Sequence, residues 1–185
     1  MAPAPVYLDE GPLRKHAVEA LERTREALAP AATVGKIARG RAWQMLLGEI
    51  VLQHNTLVAV GSHGAGRAKG ILIGSTATEL IHKAPCSVLI ARKPLQAFPT
   101  SIVVGSDGSK ESRVAEAVAE DLAERFDARL ERLENVRDPA KTLVDAAMEA
   151  DLLMVGSRGL HGFKSLGSVS ERVAHEARCS VLIVR

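Results

Sequence analysis

Residues 61–92, GSHGAGRAKGILIGSTATELIHKAPCSVLIAR, return as residues 156–185, GSRGLHGFKSLGSVSERVAHEARCSVLIVR. Each copy follows an apolar run, TLVAV at 56–60 or DLLMV at 151–155, and each carries CSVLI just before its end. A strand, a Gly/Ser-rich turn, a helix and a second strand have therefore been written twice. A turn of that kind, leading off a strand into a helix, offers backbone N–H groups and the positive end of the helix dipole to an anion such as phosphate.

Composition agrees with this reading. A chain of 185 residues suits one large or two small domains. Its 46% apolar and 3% aromatic residues describe a Val/Leu/Ile/Ala core, as in a parallel sheet covered by helices. The formal charge of +2 is spread along the chain without a Lys/Arg block, which argues against nucleic-acid binding. No apolar run approaches a membrane span, and the opening MAPAPVYLDEG lacks the apolar stretch of a signal peptide. Cys86 and Cys179 occupy matching repeat positions and are expected to be buried, reduced thiols rather than a disulfide, in a cytoplasmic protein.

Periodicity supplies the elements. Residues 13–28 form an amphipathic helix, 32–38 a short strand, and 41–53 a helix with Trp43, Leu46, Leu47, Ile50 and Val51 inward. A strand at 56–60, a helix at 75–83 and a strand at 87–90 complete the first copy. KPLQAFPT at 93–100 is the linker. Then come a strand at 102–104, the turn GSDGS, a helix at 111–126, a strand at 130–136, a helix capped by Asp138 with Pro139 at its first position, and a strand at 152–155. Ser168-x-x-Glu171 reads as a capping box for the next helix, with Thr76-x-x-Glu79 as its counterpart. Alternation of strand and helix gives an α/β fold.

The candidate anion site is the glycine pattern. Gly61, Gly64 and then Gly74-Ser75 would cup a di- or triphosphate; Gly156, Gly159 and Gly167-Ser168 repeat the pattern with two residues fewer. Neither G-x-x-x-x-G-K-[ST] nor G-x-G-x-x-G is present, which disfavours P-loop chemistry. His63 and His161 lie beside the turns and read as solvated loop residues. Arg67, Lys69, Arg158 and Lys164 could balance phosphate charge, and His82 and His175 read as helix residues. No Ser/His/Asp set or zinc spacing occurs, so no catalytic residue or metal site is assigned.

The pattern G-x2-G-x9-G-[ST], the closing C-[SP]-V-L-[IV]-x-R and the VVGSDGS of residues 103–109 together resemble the universal stress protein family, over essentially the whole chain. The resemblance implies a doubly wound open parallel sheet with helices on both faces, of the adenine nucleotide alpha hydrolase-like type, with strand order 3-2-1-4-5 in a complete repeat. It implies ATP, with Mg²⁺, held by Gly61, Gly64, Gly74, Ser75, Gly105, Asp107, Gly156, Gly159, Gly167 and Ser168, with Asp107 toward the ribose. It also implies a non-enzymatic regulatory module in stress response, and a homo-oligomer joined through C-terminal strands such as CSVLIVR. The alternative within the family is a dimerisation or interaction module that binds no nucleotide.

Two departures shape the expected domains. Residues 1–97 form a first repeat without the VVGSDGS strand, and residues 98–185 a second repeat shortened between Phe126 and Asp138. Neither holds a complete site by itself. The first is not expected to fold alone: either residues 102–104 lie beside its strands in one continuous arrangement, or sequence upstream of Met1 supplies the strand.

Overall fold

The computed structural model describes residues 11–28, 34–63, 73–92, 99–134, 136–158 and 166–185. They divide between two compact units, residues 1–40 and 41–185.

In the first unit, helix α1 (Gly11–Leu28) forms where its amphipathic spacing predicts. Residues 34–40 form neither helix nor strand. The strand expected over 32–38 is therefore absent at 34–38, and its first two residues lie outside the described ones. Val34 is 98% exposed, so nothing apolar holds this stretch extended.

The second unit is a six-stranded sheet with helices on both faces. Its elements are α2 (Ala42–Gln53), β1 (Leu57–Gly61), α3 (Ser75–Lys83), β2 (Ser87–Ala91), β3 (Ser101–Ser106), α4 (Lys110–Phe126), β4 (Arg129–Glu134), α5 (Pro139–Ala146), β5 (Leu152–Gly156), α6 (Ser168–Glu176) and β6 (Ser180–Val184). The strand order is β1-β2-β6-β5-β3-β4. Every neighbouring pair is parallel except β2·β6, which is antiparallel with Val88 opposite Ile183 and Ile90 opposite Val181.

That one antiparallel joint corrects two expectations. The sheet is mixed rather than wholly parallel. The two copies do share one sheet, but through β2 and β6; Ile102–Val104 pairs with β5 on one side and β4 on the other, away from β1 and β2. It also corrects the oligomer expectation. Both edges of β6 are occupied within the chain, by β2 and β5, so the C-terminal strand has no edge to lend to another copy. In the second copy the order β4-β3-β5-β6 corresponds to 2-1-4-5 of the expected pattern, with no third strand among the described residues.

Alternation along the central strands splits the core into two layers. Ile102, Val104, Leu152, Met154, Leu182 and Val184 pack with Ala115 and Ala119 of α4 on one face. Val103, Leu153, Val155, Val181 and Ile183 face the other way, onto α3, α5 and α6. β5 and β6 are buried on both faces, which explains why LLMVG and SVLIV contain no polar alternation beyond Ser180. Ala77, Leu80, Ile81 and Ala84 are buried as the helical spacing predicts. Val51 is not: it is 60% exposed, while Trp43, Leu46 and Leu47 pack against the core and Ile50 is buried. Lys83 Nζ lies 4.2 Å from the Trp43 ring centre, a cation–π contact that ties α2 to α3.

Candidate functional site

The strand β3 is where the order reverses: the chain leaves it for β4 on one side and returns to β5 on the other. Ligands of open α/β sheets sit at the carboxyl ends of the strands at such a point. Here those ends are the turn after β3, residues 106–109, and the turn after β5, which begins at Gly156.

The turn after β3 is shaped by its own side chains. Gly108 adopts φ +76, a left-handed conformation that glycine takes without a Cβ penalty. The Ser109 N–H donates to the Asp107 carboxylate at 3.0 Å, and Ser109 then caps α4, its Oγ accepting from the Ser112 N–H at 3.1 Å. Asp107 is exposed at the mouth of the switch point. The Ser109 hydroxyl also donates to the Arg158 carbonyl at 3.4 Å, and the Arg158 guanidinium pairs with Glu111 at 3.2 Å, so the β3 and β5 turns are stitched together.

The turn after β5 is held from inside. The Ser157 N–H donates to the Val184 carbonyl at 2.9 Å, and the Gly167 N–H donates to the Ser157 carbonyl at 2.8 Å. Ser170 on α6 donates its hydroxyl to the Gly156 carbonyl at 2.7 Å. Helix α6 begins at Ser168 with Gly167 as N-cap and no side-chain cap. The capping box expected from Ser168 and Glu171 does not form, because Ser168 sits one residue inside the helix. The same holds for Thr76 and Glu79, since α3 begins at Ser75 with Gly74 as its uncapped N-cap. By contrast, α4 and α5 are capped by Ser109 and Asp138, the latter as its sequence predicts. The helices that follow the glycine patterns thus start, like α2 behind Arg41, without a side-chain acceptor for their first-turn N–H groups, the arrangement an anion can complete.

The ten candidate residues do not converge on one crevice. Gly105, Asp107, Gly156, Gly167 and Ser168 gather at the carboxyl ends of β3 and β5. Gly61, Gly74 and Ser75 follow β1, which runs opposite to β5 because of the β2·β6 joint, so they lie at the other end of the sheet. Gly64 and Gly159 lie outside the described residues, as do His161, Arg67, Lys69 and Lys164. Among the described residues, Asp107 and a glycine turn therefore share one end of the sheet within the second copy alone.

Two of the glycines have packing reasons of their own. A Cβ on Gly156 would lie 2.7 Å from the Glu111 carbonyl carbon and 2.9 Å from the Ser112 nitrogen, so only glycine lets the first turn of α4 seat there. A Cβ on Gly105 would meet Leu143 of α5 at 2.8 Å. At Gly61 the only close neighbour among the described residues would be the His63 carbonyl at 3.3 Å.

The sequence reading passed over a pair of arginines that the fold makes equivalent. Arg92, just after β2, reaches the Ala174 and His175 carbonyls at the end of α6. Arg185, just after β6, reaches the Ile81 carbonyl at the end of α3 and the Cys86 carbonyl. Each guanidinium satisfies the orphan carbonyls and negative dipole end of the other copy's helix. Burial lowers the pKa of both. The shared final Arg of the two CSVLI segments was the available signal. Cys86 and Cys179 are buried free thiols; burial pushes the Cys86 thiol upward. Of the histidines, His63 is exposed with Nδ1 2.9 Å from Ser62 Oγ, and His82 lies 3.4 Å from Glu171 of α6. Among the described residues, no group of three His, Cys, Asp or Glu could hold a metal ion, and no helix is long and apolar enough to cross a membrane.

Comparison with known proteins agrees with this architecture. The model of the universal stress protein family matches residues 1–92 and 131–185. A universal stress protein of Mycobacterium tuberculosis is 33% identical, over 70% of this chain and 61% of its own length; one of Mycolicibacterium smegmatis is 32% identical over the same shares. The chain belongs to the universal stress protein family. It spans 61% of the length of these curated relatives. Among solved structures, a universal stress protein from Archaeoglobus fulgidus superposes with a TM-score of 0.74 at 18% identity, covering 97% of this chain and 84% of that one. A Pseudomonas aeruginosa protein superposes at 0.68 with 16% identity, covering 98% and 79%. At those identities the likeness speaks for the fold.

Proposed function

We propose that the protein is a cytoplasmic, nucleotide-responsive module of the stress response, built from two incomplete repeats at 1–97 and 98–185, which binds ATP without turning it over. The site is the switch point of the second repeat. Asp107 accepts from ribose hydroxyls, and the first-turn N–H groups of α6 with the Ser168 hydroxyl hold phosphate. Gly105 and Gly156 act by letting α5 and α4 close around the site. Mg²⁺ would arrive on the phosphates, since among the described residues no acidic cluster is at hand to hold it. The observation that carries this reading is the uncapped start of α6 at the same end of the sheet as Asp107, where the strand order reverses. The α3 start, with Gly61, Gly74 and Ser75, offers phosphate contacts alone.

Titration with ATP and Mg²⁺, followed by calorimetry and thermal unfolding, tests the proposal. Ligand at 100 times Kd is expected to add about 2.7 kcal/mol of stability. Asp107→Asn keeps an acceptor for the Ser109 N–H but removes the charge. It should weaken ATP by roughly 10- to 100-fold, the loss of a charge-assisted hydrogen bond of about 1.5–3 kcal/mol. An unshifted melt at millimolar ATP would shift the reading to an interaction module without nucleotide. One observation favours that rival: the Gly167 N–H, expected to face phosphate, already donates to the Ser157 carbonyl inside the fold.

A further inference from the structure

The first turn of α4 is joined to the turn after β5 in two ways, through backbone and through charge. The Glu111 backbone rests on Gly156, where a Cβ would come within 2.7 Å of it, and the Ser109 hydroxyl donates to the Arg158 carbonyl. Over these contacts lies an ion pair that water reaches. Arg158 Nη2 is 3.2 Å from Glu111 Oε1, with the arginine side chain 49% exposed and the glutamate 26%. A pair so placed contributes little to stability. Both side chains can therefore change partners while the backbone under them stays seated.

Arg158 also stands close to the start of α6. The residue before it, Ser157, accepts the N–H of Gly167, the N-cap of that helix. A second guanidinium lies at the same end of the sheet, since Arg185 follows β6 and β6 runs parallel to β5. Burial lowers the Arg185 pKa, the Cys86 side chain opposes that, and the like charge of Arg158 adds to it. Two neighbouring cations beside an uncapped helix start favour an anion. In the first copy His63 takes the place of Arg158, and its Nδ1 lies 2.9 Å from Ser62 Oγ, within its own turn. On the reading that this site takes ATP, we propose that Arg158 is its phosphate-sensing residue: Glu111 holds the guanidinium until the phosphates of a nucleoside di- or triphosphate draw it off. A guanidinium meets phosphate through two parallel N–H···O bonds, and a terminal phosphate carries more charge than one carboxylate, so the exchange runs toward the ligand. A nucleoside without phosphates offers Arg158 nothing to pair with. Glu111 is thus a positioning residue that competes with the ligand for one side chain, and the competition favours polyphosphates.

Calorimetric titration of the full chain with ATP and Mg²⁺, with adenosine and with inorganic tripolyphosphate tests this on the unaltered chain, Arg158→Ala, Glu111→Gln and the double variant. Arg158→Ala should weaken ATP by about tenfold or more, the loss of a charge-assisted hydrogen bond, and leave adenosine unchanged. Glu111→Gln should tighten ATP by about fivefold, the size of a partly exposed ion pair. The double variant should bind ATP as weakly as Arg158→Ala, because Glu111 then has no guanidinium to hold. If Arg158→Ala folds poorly, Glu111→Gln decides by itself. ATP bound no tighter by Glu111→Gln, or tightened equally with and without Arg158, overturns the proposal and leaves the nucleotide reading standing. Tripolyphosphate tightened by Glu111→Gln while ATP binds no better than tripolyphosphate upholds Arg158 and overturns the ribose role of Asp107. Neither ligand bound, by the unaltered chain or by Glu111→Gln, overturns both.

Discussion

The turns after β1 and β5 share the same inner wiring but not the same surroundings. In both, the serine after the glycine donates its N–H to the carbonyl that ends the neighbouring strand, Ser62 to Ala91 and Ser157 to Val184. In both, the glycine that caps the next helix donates back to that serine, at 2.7 Å for Gly74 and 2.8 Å for Gly167. Among the described residues, however, only the β5 turn is pressed against another helix, where Gly156 meets the backbone of Glu111 and Ser112. A motif copied in sequence has kept its local bonds in both places. Its tertiary role has been kept in one, and so has its meeting with an acidic turn.

The sharpest way to break this comparison is to add one methyl group to each turn. Gly156→Ala must displace backbone of α4 and should cost about 3 kcal/mol, at the upper end of overpacking effects, measured by denaturant unfolding. Gly61→Ala faces, among the described residues, a single carbonyl at 3.3 Å and should cost less than about 1 kcal/mol. Equal losses would mean that both turns are packed alike.

Next in size are the crossed arginines. Arg92→Ala and Arg185→Ala should each cost about 2 kcal/mol, in the range for charge-assisted hydrogen bonds to half-buried partners. The two losses should agree within about 0.5 kcal/mol, because each guanidinium reaches the equivalent carbonyl, Ala174 or Ile81, of the other copy's helix. A large loss at one position and none at the other would show that the symmetry of the joint is only apparent.

The smallest effects separate capped from uncapped helix starts. Ser109→Ala removes a cap from α4 and should cost about 1 kcal/mol. Ser168→Ala should leave stability within about 0.3 kcal/mol of the parent while weakening ATP, since Ser168 is exposed at the first position of α6 and caps nothing. A stability loss at Ser168 matching that at Ser109 would restore the capping box that the fold lacks.

Much of the architecture was legible because it is written in periodicity. Apolar spacing placed α1, α2, α3 and α4, and Asp138-Pro139 placed the start of α5. The continuous apolar runs LLMVG and SVLIV placed β5 and β6, buried on both faces. What escaped was direction and context. CSVLI reads the same whether its neighbour runs parallel or antiparallel, so the β2·β6 joint, and with it the separation of the two turns, has no periodic signature. The stretch at 34–38 looked like a strand by composition, yet Val34 finds no partner to bury it. Gly105 and Gly156 were singled out for an anion. Their closest neighbours are instead Leu143 and the α4 backbone, contacts that sequence spacing cannot reveal. The pattern S-x-x-E promised a cap, but the choice of Gly167 as the capping residue depends on the hydrogen bond it makes to Ser157, which is a product of folding.

The reversal at β2·β6 has an electrical consequence. Moving from the end of β1 to the end of β5 takes four residue steps along the strands and three strand spacings across them, roughly 20 Å in all at ~3.3 Å and ~4.8 Å each. That is about two and a half times the screening length at physiological ionic strength, ~8 Å. Two anions resting at opposite helix starts would barely sense each other's charge, so whatever fills one end leaves the field at the other nearly as it was.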